Sequence, residues 1–531
     1  MRRNEKTFTA VLLALFMCCG CVTVELFAGG KRESAPAATS GGSITLRALQ
    51  YELENQQMDF PNLWFFQELE KKTGIHINWE PVKDADWKTR VNLTFASMDL
   101  PDVILSGDVD IEEYGVSQGL LVPLEDLIPQ YMPNYYSRMK MNDADKAMYA
   151  SDGHIYWIGS LIAQNINHDG NHYINKAWLD KLGLKVPTTI DELTAVLRAF
   201  RDNDPNGNGV KDEIPFSGGD LKHQTQGLYT HFANFGVPLV YFVYATIDKN
   251  DKVVFPGYMD GFRPALEWLN LCYKEGLLDM EAITQDSNAW GTKMNAGLVG
   301  YTSYLRLINT ALTPEIASQY VSILPPASKY GVSVPRVLEV PTVNAVITTA
   351  NKHIPETLRW LDAQFETETM MVGYNGPVNA GGPIEPTIKV NAEGKYEIVY
   401  VPENNALYKY VPVYHARFFA PGDYYFKIYE MPPHRVERAE SSKQYADAGV
   451  LEPKSFTILQ YLVKPNSDDA LQISRLYTEI DKLMQESIAN FIRGGVTDAN
   501  WQTFLNSCRA VGVDRYIALY QKAYDAYLLA N

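Results

Sequence analysis

The stretch Asp202-Asn-Asp-Pro-Asn-Gly-Asn-Gly-Val-Lys-Asp-Glu213 crowds oxygen donors around two glycines. Asp204, Asn206 and Asn208 each offer a side-chain oxygen, Val210 offers its carbonyl, and Asp212 and Glu213 close the ring. With Glu213 bidentate the donors number about seven, within the roughly six to eight oxygens a calcium ion takes. Gly209 permits the sharp turn such a loop needs. Neither sulfur nor imidazole lies in the stretch, which disfavours zinc, copper and iron. A surface turn that binds nothing would use the same Asn, Gly and Pro residues, but it would not need the acids so close together. Counting from Asp202 matches the EF-hand pattern with Glu213 in last place. Counting from Asp204 alternates equally well and closes on Asp212 and Glu213 together, so the residues alone leave the register open. Pro215 sits where the exit helix of an EF-hand would begin. The ion is therefore expected to be a structural clip, not a switch.

The loop follows a helix expected from Thr189, where Glu192 three residues on completes a capping box. Ile190, Leu193, Val196, Leu197 and Phe200 fall on one face of that helix. Near the N-terminus, Ser43–Leu49 alternates like a strand, and Asn62–Lys72 reads as a helix stopped by Gly74. Ile75–Trp79 reads as a second strand, Trp87–Ser97 as a second helix, and Asp102–Leu105 as a third strand ending at Ser106-Gly-Asp108. This order predicts an α/β layer around a largely parallel sheet. Ligands bind beyond the carboxyl ends of such strands, which places Gln50, Tyr51, Ser106 and Asp108 at a candidate cleft. The last quarter reads as three helices, Leu471–Arg493, Trp501–Ala510 and Asp514–Leu529. Residues 375–460 are rich in proline and glycine and receive no assignment, and no internal repeat is evident.

At 531 residues the chain can form two or more domains. A net charge of −16 argues against nucleic acid or an anionic membrane face as the main partner. Arg2, Arg3 and Lys6 precede an apolar run from Phe8 to Val24, which suits an export signal over residues 1–28. Gly20-Cys21 resembles the end of a lipobox, with Cys18 atypical, whereas Ala28-Gly-Gly30 suits ordinary signal peptidase. The polar tether over residues 29–42 favours the lipoprotein. Cys272 and Cys508 are too few for a disulfide framework and are expected to be buried singly in helices. No second apolar segment is long enough to span a bilayer.

Catalytic motifs are missing: there is no GxSxG, HExxH, P-loop or GxGxxG. His168-Asp-Gly-Asn-His172 reads as a turn, and Glu112-Glu113 as solvated acids. A secreted calcium-stabilised polysaccharide hydrolase or lyase stays open as an alternative, because two carboxylates from separate segments can converge.

Several stretches resemble one family, the extracellular solute-binding proteins of carbohydrate ABC transporters, in the large-lipoprotein branch of the alginate-oligosaccharide-binding proteins. They are Ala96-Ser-Met-Asp-Leu-Pro-Asp102, with Met98 where the family has glycine, Leu120–Asn134, Asp152-Gly-His-Ile-Tyr156, and Trp178–Leu193 followed by Asp204-Pro-Asn-Gly-Asn-Gly209. Gly297–Tyr301, Phe491–Gly495 and Tyr520–Tyr527 fit later blocks. The resemblance implies a two-lobe periplasmic-binding-protein fold, type II-like, with a hinge and a helical C-terminal region. It implies a first lobe over 43–160 with a returning segment near 335–400, and a second lobe over 161–334 and 401–531. It also implies calcium in the register that starts at Asp204. The function it implies is that of a monomeric extracytoplasmic receptor, membrane-bound only through a lipid anchor, that captures an oligosaccharide for an ABC permease. A peptide or signalling-ligand receptor on the same scaffold is a further alternative. Aromatic rings that can cover sugar C–H faces are Tyr51, Trp157, Trp290, Tyr301, Tyr304 and Tyr374. Arg306 and Arg336 can meet a uronate carboxylate.

Overall fold

In the computed structural model, the alternating residues Ile44–Glu52 form strand β1. It runs parallel to β2, Ile75–Lys83, with Ile44 opposite Ile75 and Glu52 opposite Lys83. On its other side it pairs in parallel with β3, Val103–Leu105. The helix Trp64–Thr73 between β1 and β2 ends on Gly74 at φ 72°, whose N–H donates to the Glu70 carbonyl, as a left-handed C-cap does. The helix Asp84–Ser97 ends likewise on Met98 at φ 59°. The described residues are 44–53, 58–140, 148–160, 170–222, 227–304, 312–337, 342–378, 385–399, 409–412, 428, 430, 433–454 and 456–530.

After β4, Trp157–Ser160, the chain builds a second layer from β5, Asn171–Asn175, and β6, Ile214–Phe216. A small hairpin of β7, Thr246–Ile247, and β8, Val253–Val254, follows. Then come β9, Val299–Tyr304, and β10, Tyr320–Ile323. The order in this sheet is β10-β5-β9-β6, with only the β6–β9 pair parallel. The chain then returns to the first layer as β11, Thr342–Ile347, which inserts antiparallel between β3 and β4. The first sheet therefore reads β2-β1-β3-β11-β4. Its parallel part is the β1, β2, β3 portion that the sequence predicts, and the late-arriving β11 makes the whole sheet mixed.

Two large hydrophobic cores result. One gathers Leu46, Leu49, Trp87, Ile104, Trp157 and Val346 around the first sheet. The other gathers Trp178, Leu197, Phe200, Phe216 and Tyr301 with residues of the C-terminal helices, among them Phe491, Phe504 and Tyr516. Those helices are Ser467–Gly494, Asp498–Ala510 and Val513–Ala530, each as the sequence predicts to within a few residues. The predicted capping box is formed: Thr189 Oγ1 accepts from the Glu192 N–H while Glu192 reaches back to the Thr189 N–H. Cys272 and Cys508 are free and buried, one in the helix Phe262–Lys274 and one in Asp498–Ala510. Among the described residues no helix is long and apolar enough to cross a membrane.

Candidate functional site

Where β1 and β3 end, the backbone is forced into one shape. Ser106 lies at φ 67°, and its N–H donates to the Asn344 carbonyl of β11 at 2.7 Å. A side chain at Gly107 would place its Cβ 2.2 Å from Trp87 Cε2, so only glycine fits there. The Trp87 indole donates to the Asp108 carbonyl at 2.9 Å, and the Tyr51 ring meets it edge-on at 5.4 Å. Tyr51 in turn donates its hydroxyl to Asp84 Oδ1 at 3.0 Å. Gln50 is buried opposite Leu105 and donates to the Tyr51 carbonyl. Tyr51, Ser106 and Asp108 are thus brought to one strand-end rim together with Gln50. Sequence reasoning missed Asn344, which is buried beside them with its Nδ2 lacking a partner among the described residues. An unsatisfied buried amide at a strand end is a donor waiting for an acceptor. Its only sequence signal is a polar residue inside an apolar strand.

Three rings expected at the cleft are core residues instead. Tyr301 is fully buried, with its hydroxyl 2.6 Å from His172 Nδ1 and its ring against Phe216 and His231. Trp290 is equally buried and donates to Thr302 Oγ1. Trp157, the first residue of β4, is buried in the first core and donates to the Met148 carbonyl. For Tyr301 the reason is topological: β9 is an inner strand, and all its residues but the last are buried. Tyr304, that last residue, is half-buried at the strand end and packs on Trp290 at 4.9 Å. Tyr374 leans half-buried on the first core from the helix Thr367–Asn375. Arg306 and His168 lie outside the described residues. The Arg336 N–H donates to Glu452 Oε1 at 3.0 Å, so Arg336 sits beside a buried acid.

The second sheet has its own polar strand end, which the sequence reading did not single out. Ser303 Oγ lies 2.7 Å from Thr230 Oγ1. The Ser217-Gly218 turn after β6 is held by Gln285, whose Nε2 donates to Ser217 Oγ and the Gly218 carbonyl, and by Asp279, which accepts from Ser217. Lys293 then bridges Asp279 and Gln285. Nearby His231 is buried, and neither ring nitrogen has a partner among the described residues. Burial, reinforced by His172, holds its pKa well below the usual imidazole value.

The acidic loop folds around Asp204. Asp204 Oδ1 accepts from the N–H groups of Gly207 and Asn208, and Oδ2 from Gly209. Gly207 and Gly209 stand at φ 80° and 76°, a conformation that favours glycine. Asn206 and Asn208 both donate amide protons to the Asp212 carboxylate. Asp202 points elsewhere: it forms a two-bond fork with the guanidinium of Arg201. Glu213 Oε1 is buried without a partner among the described residues. Burial raises the Glu213 pKa, and Asp204 and Asp212 add to the rise. Three carboxylates thus share one small loop, with one oxygen uncompensated. Among the described residues no group of three or more His, Cys, Asp and Glu side chains forms a metal cluster by itself. Two of the five side-chain donors in this loop are amides.

Residues 48–371 match the family model of the bacterial extracellular solute-binding proteins. The chain is 29% identical over 482 residues to the fructooligosaccharide ABC transporter substrate-binding protein FusA of Streptococcus pneumoniae, covering 87% of this chain and 86% of that one. It is 25% identical over 395 residues to the lipoprotein LipO of Bacillus subtilis, covering 70% and 73%. Among solved structures, pneumococcal FusA in complex with kestose superposes with a TM-score of 0.75 at 27% identity, over 92% of this chain and 100% of that one. A solute-binding protein of Bifidobacterium longum infantis that binds HMO shares the fold at TM-score 0.78 and 20% identity, over 92% and 99%. These neighbours are two-lobe solute-binding proteins, and the two sheets with separate cores described above have the same architecture. The chain belongs to the bacterial extracellular solute-binding protein family.

Proposed function

We propose that this protein is an extracytoplasmic receptor that captures an oligosaccharide between two lobes and delivers it to an ABC permease. The observation that carries the reading is the full-length likeness to FusA with kestose bound, at 27% identity. The strand ends support it. One carries Gln50, Tyr51, Ser106, Asp108 and Asn344, and the other Ser217, Thr230, Ser303 and Tyr304. Buried amides and hydroxyls beside aromatic rings are the groups that take sugar hydroxyls and C–H faces. Family members and relatives are binding proteins rather than enzymes. The first lobe in this reading takes residues 43–160 and the returning segment that includes β11, and Cys21 carries the lipid anchor.

The same proposal includes calcium at the loop, in the register starting at Asp204. Asp202 is engaged by Arg201, and Glu213 Oε1 has no partner among the described residues. An EF-hand variant of FusA, 26% identical to this chain, has been solved with fructo-nystose. Asp204, Asp212 and Glu213 would supply the charge, and Asn206, Asn208 and the Val210 carbonyl the neutral oxygens. Rotation of the two amides by half a turn presents oxygen in place of nitrogen. A bound calcium ion would neutralise the mutual repulsion of the carboxylates.

Titration calorimetry with kestose, malto-, xylo- and galacto-oligosaccharides, followed by chromatography of the recovered sugar, tests the receptor reading. Saturable binding of at least one sugar, recovered intact, is the expected outcome. Recovery of shortened chains would instead establish the hydrolase or lyase alternative, and absence of binding to all would reject the ligand class.

A further inference from the structure

Two adjoining cavities of about 530 and 690 Å³ open on the helical side of the second lobe, away from the strand ends. They share Tyr258, Met259, Asp260 and Tyr330 and so form one continuous groove. Each volume falls in the range of small-molecule sites. Tyr258 and Tyr330 are 39% and 38% exposed, high for rings held as firmly as these. Tyr258 packs edge-on against Phe255 at 5.0 Å and donates to Asp514 Oδ1 at 3.2 Å. Tyr330 sits under the Lys329 ammonium, 5.1 Å from its ring centre. Trp501 lines the same groove half-exposed, its ring tilted against Phe504 at 5.2 Å, and its indole N–H finds no acceptor among the described residues.

Rigid, partly exposed rings with spare hydrogen-bonding capacity bind flat C–H faces edged by hydroxyls, because little side-chain entropy is lost on contact. Charge narrows the ligand further. The carboxylates of Asp248, Asp260, Glu267 and Asp514 line the groove and outnumber the guanidiniums of Arg263 and Arg509, of which Arg263 is paired with Glu267 and Asp498. That excess of carboxylates favours a neutral ligand over one carrying phosphate, sulfate or uronate groups.

We propose that this groove is a second, surface carbohydrate site that takes a neutral oligosaccharide on Tyr258, Tyr330 and Trp501. The choice of sugar as ligand class rests on the receptor reading above, whereas the site is spatially its own. It would hold the chain weakly beside the receptor and raise its local concentration at the cleft.

The test is fluorine NMR on protein labelled with 5-fluorotryptophan, with the Trp501 signal assigned through Trp501→Phe, titrated with kestose and with maltoheptaose to tens of millimolar. The expected result is a Trp501 shift that saturates in the millimolar range, separately from any tighter cleft event. Tyr330→Ala and Tyr258→Ala should each weaken that response about fivefold, the worth of one aromatic contact, and leave calorimetric cleft binding unchanged. A Trp501 signal that stays fixed with both sugars overturns the groove site, whether or not the cleft binds. A response that both variants leave unaltered overturns it as well. Silence of the cleft in calorimetry is a separate result and counts against the receptor reading alone.

Discussion

Single residues in this protein bear strain at identifiable places. Met98 closes the helix Asp84–Ser97 at φ 59° with its side chain 60% exposed. It pays the steric cost of a Cβ in the left-handed region, roughly 1–2 kcal/mol, with little packing in return. Met98→Gly is therefore expected to raise stability by about 1 kcal/mol, less the added chain entropy of glycine, read as a higher urea midpoint. Glu452 is a second such place. It is 1% exposed, accepts from Thr246 Oγ1, Phe456 N–H and Arg336 N–H, and burial pushes its pKa up to about 7. In the unfolded chain it titrates near an ordinary glutamate. Between roughly pH 4.5 and 7 the folded protein keeps a proton that the unfolded chain has released. Its contribution is thus full below the unfolded value and is lost as pH rises through the folded one, a loss of about 3 kcal/mol. Glu452→Gln keeps the acceptor for both N–H groups and can donate to Thr246. Urea unfolding should show this variant more stable than the parent at pH 8 and equal to it at pH 5.

At the scale of elements, the loop after the helix Ile190–Asp202 leads directly into β6, whose far end carries the Ser217-Gly218 turn. An ion in the loop would anchor the start of the strand whose finish lines the proposed ligand site. Calcium at a hundredfold excess over its dissociation constant should stabilise the fold by about 3 kcal/mol. A calorimetric scan with and without chelator reads this as a shift in Tm, and Glu213→Gln should abolish most of it. No difference between the two scans would remove calcium from the proposal. The helix and the loop were legible in the sequence because caps, turns and alternating donors act within a few residues of each other. The roles of the β9 residues were not. Val299–Tyr304 offers aromatic and hydroxyl side chains that suit a cleft, but its place between β5 and β6 leaves it no open edge, and packing on the sheet turns Tyr301 into core.

For the whole molecule, the proposed receptor reading with its two separate cores predicts closure of one core toward the other on ligand binding. Small-angle scattering should show the radius of gyration fall when a cleft sugar is added and remain unchanged with a sugar that calorimetry finds inert. A radius indifferent to bound sugar would mean that recognition proceeds without closure. The long-range return of β11 matters at this scale, since it places Asn344 beside Ser106 at the rim.

Short-range chemistry was decided by the sequence alone: the strand and helix order of the first layer, the capping box at Thr189, the donor set around Asp204 and the three C-terminal helices. The tertiary structure decided which aromatic rings are buried, that Asn344 and Gln50 share a rim, and that exposed tyrosines on the helical side line a groove. The division follows from physics. Hydrogen bonds within a turn depend on neighbours a few residues away, whereas burial of a side chain depends on which distant strand or helix comes to lie over it.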